Sequence, residues 1–199
     1  MKDISVKALA KINLGLDVVR KREDGYHEVR MVMQTIHLFD RLEISKNTSG
    51  EITMETNLSF LPTNENNLVY KAAKLLQDEF AIKDGVHVWL HKYIPVAAGM
   101  AGGSTDAAAV LYGMNQIFDL GLTREELMER GVKIGADVPY CIMRGTALAE
   151  GIGEKLSKLP PMVKCPVLIA KPQISVSTKF VYENLKLGSD MVHPDIDRL

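Results

Sequence analysis

From Val6 to Val18 the even positions read Val, Ala, Ala, Ile, Leu, Leu, Val, while the odd ones include Lys7, Lys11, Asn13 and Asp17. A period of two is the signature of a strand with one face on a core. The fold must therefore contain a sheet, and Lys11 and Asn13 share the face opposite the apolar one. Asp24-Gly25, inside EDGYHE, carries turn chemistry. VRMVMQTIHLFDRLEI and EITME read as further strands across the polar link KNTSG.

Residues 64–82 repeat with helical spacing: Leu68, Ala72, Leu75, Leu76 and Phe80 share one face, with Asn64 as cap after Pro62. Asp84-Gly85 turns into VHVWL, where Val86, Val88 and Leu90 alternate. A helix is expected from the glycine-rich stretch that follows to about Phe118. Thr123 with Glu126 spells a capping box for another, ending before Gly135. GADVP leads into YCIMRGTALAEGIGE, expected as short strands and turns around Gly145 and Gly151. PVLIA reads as a short buried strand, and STKFVYENL as the start of a helix.

The 199 residues, 46% hydrophobic and 25% charged, suffice for one large domain or one domain plus part of another. A composition shift at Leu159-Pro160-Pro161 marks the expected boundary, between residues 1–158 and 159–199. HPDIDRL reads as the first turn of a helix that is not completed, so the second domain is expected to be truncated. A net charge of −1 gives no reason to expect nucleic acid or an anionic membrane as partner. MKDISVKALA lacks the apolar core of a signal peptide and no segment approaches a membrane span, so a cytoplasmic protein is expected. Cys141 and Cys165, both beside apolar segments, are expected as buried thiols.

PVAAGMAGGSTDAAAVL, residues 95–111, poses the chemical question. Gly99, Gly102 and Gly103 let the backbone bend and bring amide N–H groups close to a ligand. Amides at a helix N-terminus, with the dipole, favour an anion there. Ser104 and Thr105 add hydroxyls for a phosphate oxygen, and Ala107 to Ala109 keep the first turn slim. Neither Gly-Lys-Ser/Thr nor GxGxxG is present, so this is no Walker A or dinucleotide loop. A plain turn capped by Ser104, Thr105 or Asp106 explains the loop equally well.

Phosphoryl transfer to a hydroxyl needs a phosphate cradle, a nearby cation and a group to take the acceptor's proton. Lys11 on its strand and Asp137 in GADVP supply a pair of that kind. An aspartate beside a lysine keeps its charge more readily, accepts a proton and leaves the lysine to steady developing negative charge. Taken singly, Lys11 fits a solvated strand face and Asp137 a helix-ending turn.

Together, AKINLGLDVVRKREDGYHEV, PVAAGMAGGSTDAAAVL and GADVPYCIMRGTALAEGIGE resemble the GHMP kinase superfamily, over about residues 6–182. The resemblance implies an α+β, two-domain fold: an N-terminal ribosomal-protein-like α/β domain, then a ferredoxin-like C-terminal domain, here partial. The active site would lie in the cleft between them. KINLGL paired with DGYHEV and GADVP points within the superfamily to a kinase of the non-mevalonate isoprenoid pathway, acting on a cytidine diphosphate-linked polyol. ATP and Mg2+ are the implied cofactors, and the magnesium ligands stay unassigned.

By that resemblance Asp137 is the base for the polyol 2-hydroxyl, Lys11 its partner, and Asn13 their neighbour. Tyr26 stacks on the cytosine and His27 hydrogen-bonds it, while Thr178 gives a polar contact and Tyr182 a second aromatic wall. Asn67, Leu68 and Lys92 line an adenine pocket. The phosphates are wrapped by Pro95, Val96, Ala97, Ala98, Gly99, Met100, Ala101, Gly102, Gly103, Ser104 and Thr105. A homoserine or mevalonate kinase is the rival within the class, disfavoured because those substrates have no base to stack on the GYH turn. The other rival is a binding fragment with impaired catalysis, since the family's third glycine-rich motif is not found before Leu199.

Overall fold

The computed structural model describes residues 3–172, 174, 178–188 and 191–199, with backbone alone at 178 and 179. Its frame is a six-stranded sheet. Strands β1 (Asp3–Lys21) and β2 (His27–Asn47) form a long antiparallel hairpin. Besides β1, β2 pairs with β4 (Gly85–His91) along Arg41 to Asn47 and with β5 (Thr146–Gly151) along Val29 to Gln34. β3 (Ile52–Thr56) lies parallel to β4, and β6 (Lys155–Lys158) closes the far edge against β5. A parallel pair needs a crossover, supplied here by helix α1 (Leu68–Glu79).

Helix α2 (Gly102–Ile117) is buried along most of its length, including Ala107, Ala108, Ala109, Leu111 and Met114. Its alanines let it sit close to the sheet, where it shares one core with Leu42, Ile44, Val88 and Leu90. α3 (Arg124–Val132) begins on the expected capping box, Thr123 and Glu126 bonding reciprocally. A short α4 (Val138–Met143) follows. α5 (Thr178–Asn184) and a 3-10 turn (Ile196–Arg198) complete the described elements. The 3-10 turn docks on the sheet: Ile196 is buried, and His193 Nδ1 lies 2.8 Å from Asp17 Oδ1 on β1.

The apolar alternation of β1 does not run unbroken. Register shifts fall between Leu9 and Lys11 and between Asn13 and Gly15. A slip of one residue exchanges the two faces of a strand. Beyond the second shift Leu16 is 38% exposed while Asp17 is 8% exposed, the reverse of what simple alternation predicts.

Four other expectations are corrected. The cap of α1 is Asn67, whose Oδ1 accepts from Val69 N at 3.0 Å, whereas Asn64 only closes a local turn onto Asn66 N at 3.1 Å. Residues 140–143 are helical, because Gly135 to Pro139 starts a helix that ends only at Arg144. Pro166 to Ala170 forms no strand and Leu168 is 97% exposed. An apolar pentapeptide becomes a strand only when a neighbouring edge accepts it, and none does so among the described residues. Cys141 is buried as expected, but Cys165 is exposed; both are free thiols.

Removing the Leu111 side chain from the α2–sheet interface, where it is fully buried, leaves a cavity. Leu111→Ala is expected to lower unfolding free energy by about 2–5 kcal/mol, seen as an earlier urea midpoint at unchanged slope.

Candidate active site

Two backbone groups freed at the first irregularity of β1 tether the glycine-rich loop. Lys11 N donates to Met100 O at 3.2 Å, and Leu9 O accepts from the Thr105 hydroxyl at 2.8 Å. Met100 is buried beside Ala10, Ile36 and Ile94. The loop is therefore fixed to the strand that carries Lys11.

The conformation of the loop is demanding. Gly99 sits at φ +69°, and Ala97 and Ala101 take left-handed φ values of 53° and 55°, each costing an L-residue roughly 1–2 kcal/mol. Ala101 is the N-cap of α2 and no side chain caps that end. Ser104, Thr105 and Asp106 lie inside the helix, so the reading of the stretch as a turn capped by one of them does not hold. The leading amides of α2 are left to backbone geometry and to whatever docks there.

Lys11, 5% exposed, reaches Asn13 Oδ1 at 3.2 Å and Asp137 Oδ2 at 3.9 Å. Asp137 occupies the N-cap of α4 yet makes no capping bond. Its carboxylate, about a third exposed, faces the lysine instead. Tyr140, one turn on, holds that helix in place: its hydroxyl donates to Gly145 O at 2.7 Å and lies 3.0 Å from the Thr35 hydroxyl. Gly145 N in turn donates to Thr35 Oγ1 at 3.0 Å. Burial pushes the Tyr140 phenol up to about 12, so it remains a neutral donor.

Tyr182 of α5 lies within electrostatic reach of Asp137. Burial first, and then the charge of Asp137, raises its phenol above the ordinary value. Its ring packs on His27, with centroids 5.0 Å apart and tilted by 34°. Tyr26 is 61% exposed at the hairpin turn, its N–H bound to Asp24 Oδ1. The structure thus brings Lys11, Asn13, Asp137, Tyr182 and His27 into one neighbourhood; Tyr26 precedes His27 in the chain and is exposed. Thr178 opens α5, but its expected side-chain contact lies outside the described residues.

Of the residues expected around adenine, Leu68 approaches the loop: a methyl placed on Gly103 would lie 3.5 Å from its Cδ1. Asn67 is occupied as the α1 cap, its Nδ2 donating to Pro62 O at 2.8 Å. Lys92 departs from expectation. Its ammonium is buried between Asp40 and Asp106, the latter 2.7 Å away, so its side chain faces the interior and lines no open pocket. Within the loop, Met100 and Thr105 also turn inward, while Pro95, Val96, Ala97, Gly99 and Gly103 are exposed, and Ala98, Ala101, Gly102 and Ser104 are half-buried.

Sequence reasoning missed Asp40, Asp106, Thr35 and Tyr140. Asp40 and Asp106 did leave a signal: each is the lone carboxylate of a stretch rich in apolar residues, IHLFDRL and TDAAAVL. A charge in such a place is buried only with a partner.

A family model described as the GHMP kinases N terminal domain matches residues 67–145, from the cap of α1 to the turn after α4. Fold likeness agrees: a homoserine kinase from Cytophaga hutchinsonii superposes with TM-score 0.67 at 20% identity, over 94% of this chain and 61% of that one. A crystal structure of 4-(cytidine 5'-diphospho)-2C-methyl-D-erythritol kinase reaches TM-score 0.78 at 34% identity, over 92% of this chain and 65% of that one. The 4-diphosphocytidyl-2-C-methyl-D-erythritol kinase of Lachnoclostridium phytofermentans is 62% identical over 98% of this chain and 67% of its own length. That of Lachnospira eligens is 60% identical over 99% and 68%. The chain belongs to this family of GHMP kinases, and spans about two thirds of the length of these relatives. No described helix is long and apolar enough to cross a membrane.

Tyr140→Phe deletes the hydroxyl that ties α4 to Thr35 and Gly145. It is expected to cost about 1–3 kcal/mol of stability, from partners left unpaired, measured by denaturant titration of the two proteins side by side.

Proposed function

We propose that this chain carries the nucleotide cradle and acceptor face of an ATP-dependent kinase that phosphorylates the 2-hydroxyl of 4-diphosphocytidyl-2-C-methyl-D-erythritol. The observation that carries the reading is the 3.9 Å Lys11–Asp137 pair, set on the strand to which the glycine loop is tethered. Names of relatives at 60–62% identity support the substrate. A cytidine ring suits the His27–Tyr182 pair and the exposed Tyr26, since each aromatic face contributes roughly 1–3 kcal/mol of stacking, by analogy with nucleic-acid platforms.

In this reading Asp137 accepts the proton of the 2-hydroxyl as that oxygen forms its bond to the γ-phosphorus. The bond from the γ-phosphorus to the β,γ-bridging oxygen breaks, ADP leaves, and Asp137 later returns the proton to solvent. Lys11 steadies the charge that develops on the acceptor oxygen and holds Asp137 in position, and Asn13 fixes the ammonium. The backbone amides at the start of α2 hold phosphate oxygens. Magnesium would accompany the nucleotide, held chiefly through phosphate oxygens as is usual for this ion in kinases. Residues 1–158 serve as the nucleotide-binding domain and 159–199 as the start of a second, and the setting is cytoplasmic.

ADP release is measured with ATP, magnesium and the cytidyl substrate. Asp137→Asn and Lys11→Met are each expected to lower kcat by about 10²-fold or more, while Tyr182→Ala chiefly raises KM for the cytidyl compound. An unchanged rate in Asp137→Asn removes the assigned base. Equal turnover of homoserine or mevalonate removes the substrate. Saturable binding of the cytidyl compound without ADP release would leave a binding fragment.

A further inference from the structure

Behind the glycine loop lies a buried charge cluster to which the reaction above assigns no part. Asp40, on β2, is fully buried and accepts from Ile94 N at 2.8 Å, from Tyr93 N and from the Lys92 ammonium. Those amides open the segment that becomes the loop. Lys92 Nζ also donates to Asp106 Oδ2 at 2.7 Å, on the first turns of α2. A methyl placed on Gly102 would lie 3.1 Å from that nitrogen, so the ammonium sits directly behind the first residue of the helix. Asp106 is 2% exposed and its Oδ1 has no hydrogen-bond partner.

We propose that Lys92, held between Asp40 and Asp106, is a positioning residue for the nucleotide phosphates, and that Asp106 sets the charge felt at the start of α2. The inference rests on the reading of the loop as a phosphate cradle. The geometry does two things at once. It ties both ends of the loop, Tyr93-Ile94 and Asp106, to a single ammonium-carboxylate knot. It also places that knot where an anion bound at the helix N-terminus feels its net charge through dry protein.

With Lys92 carrying one positive charge and Asp40 one negative, the proton on Asp106 decides whether the knot is neutral or negative. An unpartnered carboxylate oxygen in the interior is disfavoured in its charged form. Burial, opposed by Lys92 and reinforced by Asp40, pushes Asp106 from its ordinary 3.8 up to about 8. The groups facing it are Lys92 from beyond β4, Asp40 from β2 and, more weakly coupled, the Cys141 thiol of α4. Below that range the knot is neutral and phosphate-tolerant; above it, a net negative charge stands behind the cradle. The same shift enters stability. The folded chain keeps a proton that the unfolded chain gives up, so the contribution is full below about pH 4 and is lost as pH rises to about 8.

Binding of adenosine, ADP and ATP, the nucleotides with magnesium, is measured on the full chain and on Asp106→Asn from about pH 6.5 to about pH 9.5. The two proteins are expected to bind ATP alike at the acid end. At the alkaline end the unsubstituted chain is expected to bind ATP roughly three- to tenfold more weakly than the variant. The difference shrinks for ADP and vanishes for neutral adenosine, a dependence on ligand charge that a merely structural role would not produce. Parallel ATP curves, or equal changes with adenosine, overturn the inference and leave the kinase reading standing. Absence of ATP binding at every pH overturns both. Should Asp106→Asn fail to fold, carboxyl-13C spectra of the unsubstituted chain decide: one aspartate titrating above about pH 7 and shifting on ATP addition is expected, and all aspartates titrating below about pH 5 overturns the inference.

Discussion

Between Leu9 and Lys11 the ladder joining β1 to β2 loses register, and the rest of the site depends on that break. A backbone group withdrawn from a ladder must find another partner. Here the partners are Met100 O and the Thr105 hydroxyl, which is how a loop with three residues at positive φ is held in one shape. The same strand then delivers Lys11 and Asn13 to Asp137. One local irregularity in the sheet thus couples the phosphate side of the site to its chemical side.

Two hydrogen-bond systems complete that coupling from opposite directions. Asp40 and Lys92 hold the entrance of the loop and the first turns of α2 from below. Thr35, Tyr140 and Gly145 hold α4, and with it the carboxylate of Asp137. Thr35 and Asp40, one from each system, both lie on β2. The central strand therefore works as the common reference for groups on two different helices.

Much of the fold was legible in the sequence for simple reasons. Period-two patterning gave β1 and β4, helical spacing gave α1, the glycine-rich stretch before an alanine-rich run gave α2, and the Thr123–Glu126 box gave the start of α3. These are local signals, readable wherever neighbours along the chain decide conformation. Misreadings fell where the decision was not local. Asn64 and Asn67 are equally good caps in isolation, and in the fold it is Asn67 that accepts from Val69 N. YCIM is as apolar as a strand, and the Gly135–Pro139 turn together with Tyr140's bonds makes it a helix. PVLIA has strand composition but no described neighbour to pair with.

By itself the sequence determined the chemistry available: a glycine-rich loop before an alanine-rich helix, a lysine and an asparagine two apart on a strand, an aspartate in a turn, and aromatics around a hairpin. Tertiary structure alone decided which of these meet. It set Lys11 3.9 Å from Asp137, packed His27 on Tyr182, and turned Lys92 from an expected pocket wall into the centre of a buried ion cluster. The physical reason is the same each time. Charge pairing and ring packing act over a few ångströms between residues far apart in the chain, so they are fixed by the register of the sheet and the seating of the helices upon it.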